Sequence, residues 1–206
     1  MIKLENINKS FENNKVLSNL SIDIKKGEFV SIVGASGSGK TTLLNIIGLI
    51  DKADSGSIGL FEYKNPSKRD IMHLRRYKLG YIFQNYLLMN NETVEKNLLL
   101  SKAYNELFTE ELMINALDKV GLDQSFLDKK VYQLSGGEQQ RISIARVMLK
   151  KCEVILADEP TGNLDKKNRE VIISLLHDLR ESGKTIICAT HDQAVADKSD
   201  RIIRIS

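Results

Sequence analysis

The 206-residue chain has no tryptophan, two prolines and two cysteines. Two cysteines exclude a disulfide-dense secreted module. Cys152 and Cys188 sit in or beside apolar runs without metal-ligand spacing, so both are expected to be reduced and buried, as in a cytosolic protein. Pro66 and Pro160 are far apart, and there is no proline-rich linker, internal repeat or low-complexity tract. Neither charge sign dominates: 30 Lys and Arg face 27 Asp and Glu, a net +3. That excess is too small to argue for direct nucleic-acid binding, and the basic residues are scattered apart from pairs such as Lys25-Lys26, Arg75-Arg76 and Lys129-Lys130. The longest apolar stretch, Leu43 to Ile50, falls far short of the ~20 residues a membrane helix needs. The first residues, MIKLENINKSF, hold no apolar signal core. What remains is 42% hydrophobic and 28% charged, enough apolar material for one domain or a small domain with an inserted lobe.

Short β-rich runs come first, at 2–7, 16–24 and 28–33. A glycine-rich loop over 34–39 leads into a helix over 41–50. A strand over 57–63, a helix over 71–77 and a strand over 79–83 follow. From 92 to about 120 the apolar spacing is helical, 131–134 is a connector, and Ser135 opens a helix to about Lys150. Apolar runs at 154–157 and 185–189 read as buried parallel strands. Helices over 166–181 and 193–198 and a strand over 201–205 complete an alternation that predicts a parallel α/β sheet.

Three motifs carry chemistry. Gly34-Ala35-Ser36-Gly37-Ser38-Gly39-Lys40-Thr41-Thr42 fits the phosphate-loop pattern, with an apolar strand before it and a helix after it. Its glycines let successive N–H groups curl around a phosphate, and the helix N-terminus adds favourable dipole charge. Lys40 is suited to neutralise β and γ phosphates and the Thr41 hydroxyl to ligate Mg²⁺. The run VILADEP ends a buried strand in two carboxylates. Asp158 is placed for the Mg²⁺ shell, and Glu159 to orient or deprotonate a water. Together these motifs indicate a nucleoside triphosphatase without saying which kind. The third, Leu134-Ser135-Gly136-Gly137-Glu138-Gln139-Gln140-Arg141, contains Ser135-x-x-Glu138, a capping box that needs no ligand. A helix start with two glycines also suits a phosphate. One phosphate loop already completes one site, so the second helix end is expected to serve the nucleotide of another copy across a two-fold interface.

LSGGEQQ between a phosphate loop and VILADEP resembles the signature of the ATP-binding-cassette (ABC) ATPases, and the likeness runs from about Ile2 to Ile205. It implies a P-loop NTPase with a mixed or parallel RecA-like sheet, an N-terminal antiparallel β subdomain and an inserted helical subdomain. The whole of 1–206 is then one domain, 1–84 and 151–206 forming the catalytic lobe and 85–150 the signature lobe. By the same resemblance, Gln84 looks like the glutamine that contacts Mg²⁺ and relays nucleotide state, and His191 like the switch histidine at the γ-phosphate. Asp165 resembles the interface-loop aspartate, and is also placed to cap the next helix. Phe11 stands where an aromatic stacks on adenine, although a core role is open to it. The implied ligands are ATP and Mg²⁺. The implied partners are a second copy when ATP is bound and an integral membrane permease, which would hold the protein on the cytoplasmic face of the membrane. Tyr86, Leu87, Leu88 and Met89 are candidates for the permease contact or for lobe packing.

Two departures bear on the partner. Val131-Tyr132-Gln133 lacks the proline common before the signature, and NYLLMNNETVEKNLLL lacks the one many relatives carry near Asn90. No regulatory extension is expected after the last strand. The runs IGLIDKADSGSI, LGYIFQNYLL and ADEPTGNLD resemble a subgroup serving macrolide, lipoprotein, bacitracin and bacteriocin export or resistance, with its cell-division relative. The expectation is therefore an ATPase subunit powering export of a peptide, bacteriocin, antibiotic or lipoprotein. Abundant Lys, Asn and Ile lean towards a Gram-positive source. The alternatives are a cell-division-type or mechanotransmission ATPase that moves a membrane protein without transport, and a soluble non-transport ABC protein, which the absence of coiled-coil or zinc insertions disfavours.

Overall fold

The computed structural model describes residues 1–12 and 14–205. Strands β1 (Ile2–Phe11) and β2 (Asn14–Ile24) pair antiparallel. Along β1 the inward set passes from Ile2 and Leu4 to Ile7, a change of parity that a register break at Asn6, with φ of 54°, makes possible. β3 (Phe29–Val33) leads through the glycine loop into α1 (Lys40–Ile47), which stops short of the predicted end at Ile50. Gly48 closes that helix and Leu49 turns away at φ 59°. The single strand expected over 57–63 is a hairpin, β4 (Ser55–Leu60) and β5 (Tyr63–Lys64), because Phe61 turns the chain at φ 56°. These strands form an antiparallel sheet of order β2-β1-β4-β5.

Helix α2 (Lys68–Tyr77) starts on a Ser67–Asp70 capping box and leads into β6 (Leu79–Ile82). The helical stretch expected over 92–120 is broken. α3 (Val94–Leu99) tightens into a 3₁₀ turn over Leu100–Tyr104, and α4 (Glu110–Lys119) restarts on a Thr109 cap. Asn105 makes the break: its Oδ1 accepts from Leu107 N at 3.1 Å and its Nδ2 donates to Leu149 O at 2.9 Å. α5 (Gly136–Leu149), β7 (Val154–Asp158), α6 (Lys166–Glu181), β8 (Thr185–Ala189), α7 (Gln193–Ala196) and β9 (Arg201–Arg204) follow as the pattern predicts.

The second sheet has the order β6-β7-β8-β3-β9, and every pair in it is parallel. Its two faces bury alternate residues. Val154, Leu156, Ile187 and Ala189 pack with α1 and the antiparallel sheet, while Ile155, Ala157, Ile186 and Cys188 pack with α3 to α6. Burial on both faces is why these strands read as unbroken apolar runs. Parallel order also brings the segments after β3, β6, β7 and β8 to one edge of the sheet, the edge where ligands bind in open α/β folds.

Candidate active site

The loop after β3 owes its curl to glycine. Gly39 has φ of 91°, a conformation that a side chain resists, and a Cβ there would also meet Val16 at 2.6 Å. Among the described residues, only Ser38 between Ala35 and Gly39 has its N–H in a backbone bond, to Ala35 O at 3.1 Å. The Ser38 hydroxyl is buried, without a partner among the described residues. Backbone donors left over by the loop and a buried hydroxyl suit a phosphate. The Lys40 ammonium donates to Gly34 O and Ala35 O, both at 2.9 Å, which leaves one of its three N–H groups and its charge for an anion.

Thr41, one residue further, donates its hydroxyl to Asp158 Oδ1 at 3.0 Å across the sheet edge. Burial pushes the Asp158 carboxyl above its ordinary range and adjacent Glu159 adds to this, while the Thr41 bond and Lys40 pull the other way. Hydroxyl, carboxylate and, from Gln84, amide oxygens are the hard donor set that fits Mg²⁺, which keeps several waters. No cluster of three or more His, Cys, Asp or Glu side chains suited to a metal occurs among the described residues.

The raised Asp158 pKa has a consequence for stability. The native chain takes up this proton more readily than the unfolded chain, so the contribution of Asp158 to stability falls as pH rises through its folded pKa. Asp158→Asn is expected to raise the melting temperature of the nucleotide-free chain at neutral pH, with a difference that closes in acid. The gain is on the order of 1 kcal/mol or less, because the group is only partly buried. Calorimetry at both pH values checks this, and an equal or lower melting temperature at neutral pH refutes it.

Glu159 sits at φ 44°, a costly position for a non-glycine residue. It is held there by its N–H to Ala189 O at 2.8 Å. Its side chain is 13% exposed, with Oε1 at 2.9 Å from His191 Nδ1 and Oε2 accepting from Thr190 Oγ1 and His191 N, both at 3.3 Å. The His191 ring is 67% exposed, so one side of it meets Glu159 and the other is open. Gln84 follows β6 and is exposed, with its Nε2 beside Gly162. The structure thus gathers Lys40, Thr41, Asp158, Glu159, His191 and Gln84 at the ends of four adjacent strands.

Phe11 lies at the end of β1, 49% exposed and outside the core, with the Lys9 ammonium 5.0 Å from its ring centroid. Lys9 is itself buried and paired with Asp51 at 3.1 Å and Asp54 at 3.7 Å.

The signature segment stands apart. No hydrogen bond or ion pair among the described residues joins 135–138 to the phosphate loop. The capping box is present: Ser135 N donates to Glu138 Oε2 at 2.7 Å, and Glu138 N to Ser135 Oγ at 3.3 Å. Burial pushes the Glu138 carboxyl up, but its bonds from Ser135, with Arg141 and Lys129 nearby, outweigh this and leave it low. Both glycines have a use within the chain. A Cβ on Gly137 would lie 2.5 Å from the Asn168 side chain, and one on Gly136 would lie 2.9 Å from the Tyr86 hydroxyl. Asp165 caps α6 through Asn168 N at 2.8 Å, and also takes Asn168 Nδ2 at 2.9 Å. Those two bonds hold its carboxyl low.

Sequence reading missed several supports. Gln140, fully buried, donates to Pro160 O at 2.9 Å and ties α5 to the loop after β7. Asp192 accepts from Thr161 Oγ1 at 3.0 Å, pairs with Arg169 at 3.2 Å and caps α7. Arg146 bonds the carbonyls of Tyr86 and Leu87. A polar residue at a buried position of α5 was the available signal for Gln140, while Arg146 is only partly buried and gave none.

Comparison with known proteins places the chain. The family model described as ABC transporter matches residues 17–162. The chain is 44% identical, over its full length, to the macrolide export ATP-binding/permease protein MacB of Campylobacter jejuni, of which it covers 33%. It spans about a third of the length of the curated relatives it matches. Among solved structures it superposes on MJ0796, a bacterial ABC transporter cassette solved as a dimer, with a TM-score of 0.90 and 40% identity, covering all of this chain and 94% of that one. A second structure of that cassette, dimeric, post-hydrolysis and bound to ADP and Pi, matches at 39% identity over the same shares with the same TM-score. A matched family model and near-complete superposition on such cassettes lead to one conclusion: this chain belongs to the ATP-binding family of ABC transporters.

Proposed function

We propose that this chain hydrolyses ATP with Mg²⁺ and powers a membrane permease, with export of a peptide, bacteriocin, antibiotic or lipoprotein as its work. The observation that carries the ATPase reading is the meeting of the Thr41–Asp158 and Glu159–His191 pairs beside Lys40 at one sheet edge. Residues 34–42 wrap the phosphates, and the Phe11 ring stacks on the base. Thr41, Asp158 and Gln84 hold the cation. When bound, Mg²⁺ neutralises charge on the β and γ oxygens. Glu159 accepts a proton from the attacking water, its orientation set by Thr190 and His191. The open face of the His191 ring is free to meet the γ-phosphate. Ser135, Gly136, Gly137 and Glu138 of a second copy close the site, with Asp165 along the contact. This is supported by the dimeric state of the related cassette.

The permease contact fits a groove of about 490 Å³ lined by Tyr81, Phe83, Leu99, Leu100, Tyr104 and Arg146. Leu99 and Leu100 are exposed apolar side chains within it, and Leu87 and Met89 are exposed apolar side chains on the segment after Gln84. No helix among the described residues is long and apolar enough to cross a membrane, so attachment to the cytoplasmic face would run through that partner. The similarity to a macrolide export ATP-binding/permease protein supports export.

The test is co-purification. Tagged Glu159→Gln protein is mixed with detergent-solubilised native membranes and ATP. An integral membrane permease is expected in the eluate. Ribosomal or DNA-associated proteins without a permease would overturn the transporter reading and leave the nucleotide chemistry standing.

A further inference from the structure

One segment beside the site is strained. Tyr86 and Leu87, just past Gln84, have φ of 62° and 46° in succession, a backbone form that non-glycine residues disfavour. Both of their carbonyls meet one side chain: Arg146 Nη1 donates to Leu87 O at 2.7 Å and Nη2 to Tyr86 O at 3.1 Å. The planar guanidinium fork matches two adjacent acceptors as an ammonium does not. Arg146 is partly buried, and the arginine ion pairs of the described residues involve Arg169, Arg180 and Arg201 instead. Its bonds therefore go to neutral carbonyls, and burial lowers its pKa without a carboxylate to restore it.

Arg146 belongs to α5, the helix that opens with the signature. The same segment touches that helix a second time at its other end, where the Tyr86 hydroxyl packs against Gly136. The turn after Gln84 is thus fastened to the first turn of α5 by a ring and to its last turn by a fork.

We infer that Arg146 is a positioning residue that holds the Tyr86–Leu87 turn in its left-handed form, so that Gln84 and the signature Ser135–Gly137 move as one unit. This rests on the ATPase reading above. A cation ligand on one side of the turn and a trans-acting helix end on the other would then be set by one rigid piece, and both would be displaced if the turn relaxed. Arg146 also lines the groove proposed for the permease, so a segment seated there would press on the clamp itself.

Three variants of the full chain test this. Arg146→Met keeps an apolar stem and removes the fork. It is expected to lower kcat about tenfold or more, since small displacements of positioning groups cost rate steeply. Affinity for ADP without Mg²⁺, by titration calorimetry, stays within about twofold, because the phosphate loop is untouched. Adding Leu87→Gly, which takes φ > 0 without strain, is expected to restore several-fold of the lost kcat. Arg146→Lys falls between wild type and Arg146→Met, and replaces it in the same comparison should the Met variant not fold. Chymotryptic cleavage at Tyr86–Leu87 reads the clamp without turnover, and is expected to run several-fold faster in Arg146→Met. Wild-type kcat in that variant, a loss that Leu87→Gly does not recover, or unchanged cleavage would each overturn the inference. A wild-type chain that binds MgADP and turns over no ATP would instead remove the ATPase reading, with the cleavage rates still deciding the clamp.

Discussion

Glu159→Gln is expected to cut ATP turnover by roughly 10²- to 10⁴-fold, the range for losing a positioned general base, with ATP binding preserved. The amide is isosteric and can still accept from Thr190 or the His191 N–H, so the local fold survives. It cannot take a proton from water at neutral pH. ATP is then held without being consumed, and the closed two-copy state, if the signature acts in trans, accumulates. Light scattering with ATP should show the dimer, and a phosphate-release assay the lost turnover. Near-wild-type turnover would remove Glu159 as base. A strictly monomeric variant under saturating ATP would remove the trans role of Ser135–Gly137.

Lys40→Ala should raise the dissociation constant for ATP by about 10- to 100-fold or more. Hydrogen bonds to a charged group contribute about 1.5–3 kcal/mol each, and each 1.4 kcal/mol is a factor of ten. The Lys40 stem is buried and its ammonium bridges Gly34 O and Ala35 O, so the loop also loses an internal tie. Circular dichroism alongside calorimetric ATP titration separates that loosening from the lost phosphate contact. ATP affinity equal to wild type would count against the phosphate-loop assignment.

The two variants differ in kind. Lys40 meets the charge that ATP carries at rest, so its loss weakens binding. Glu159 acts when a proton leaves water, so its loss slows the step.

Where sequence reading went astray, polar side chains and left-handed residues were responsible. The helical spacing over 92–120 is real, yet Asn105 breaks it by bonding Leu149, a contact made only in the tertiary structure. Phe61 adopts φ > 0 without being glycine, so no glycine at the turn announces the hairpin, and α1 ends early where Gly48 closes it and Leu49 turns away at φ > 0. Phe11, for which a core role was open, is half exposed: it ends β1 opposite Asn14 of β2, beyond the last pair with β4 at Asn8.

The motifs were legible because their chemistry is local. A glycine loop followed by Lys and Thr, an apolar strand ending in two acids, and Ser-x-x-Glu before a helix each declare themselves within ten residues. Apolar alternation within the strands likewise follows from a backbone whose side chains point to opposite faces. Distance was not legible. Thr41 and Asp158 are 117 residues apart in the chain and 3.0 Å apart in space, because the parallel order β6-β7-β8-β3-β9 brings strand ends from distant segments to one edge. The fork of Arg146 on Tyr86 and Leu87, the reach of Gln140 to Pro160 and the seat of Gly137 on Asn168 are likewise long-range. Such contacts depend on which helix face meets which loop once the core is packed. That packing is a property of the whole chain and leaves no short pattern in any one segment.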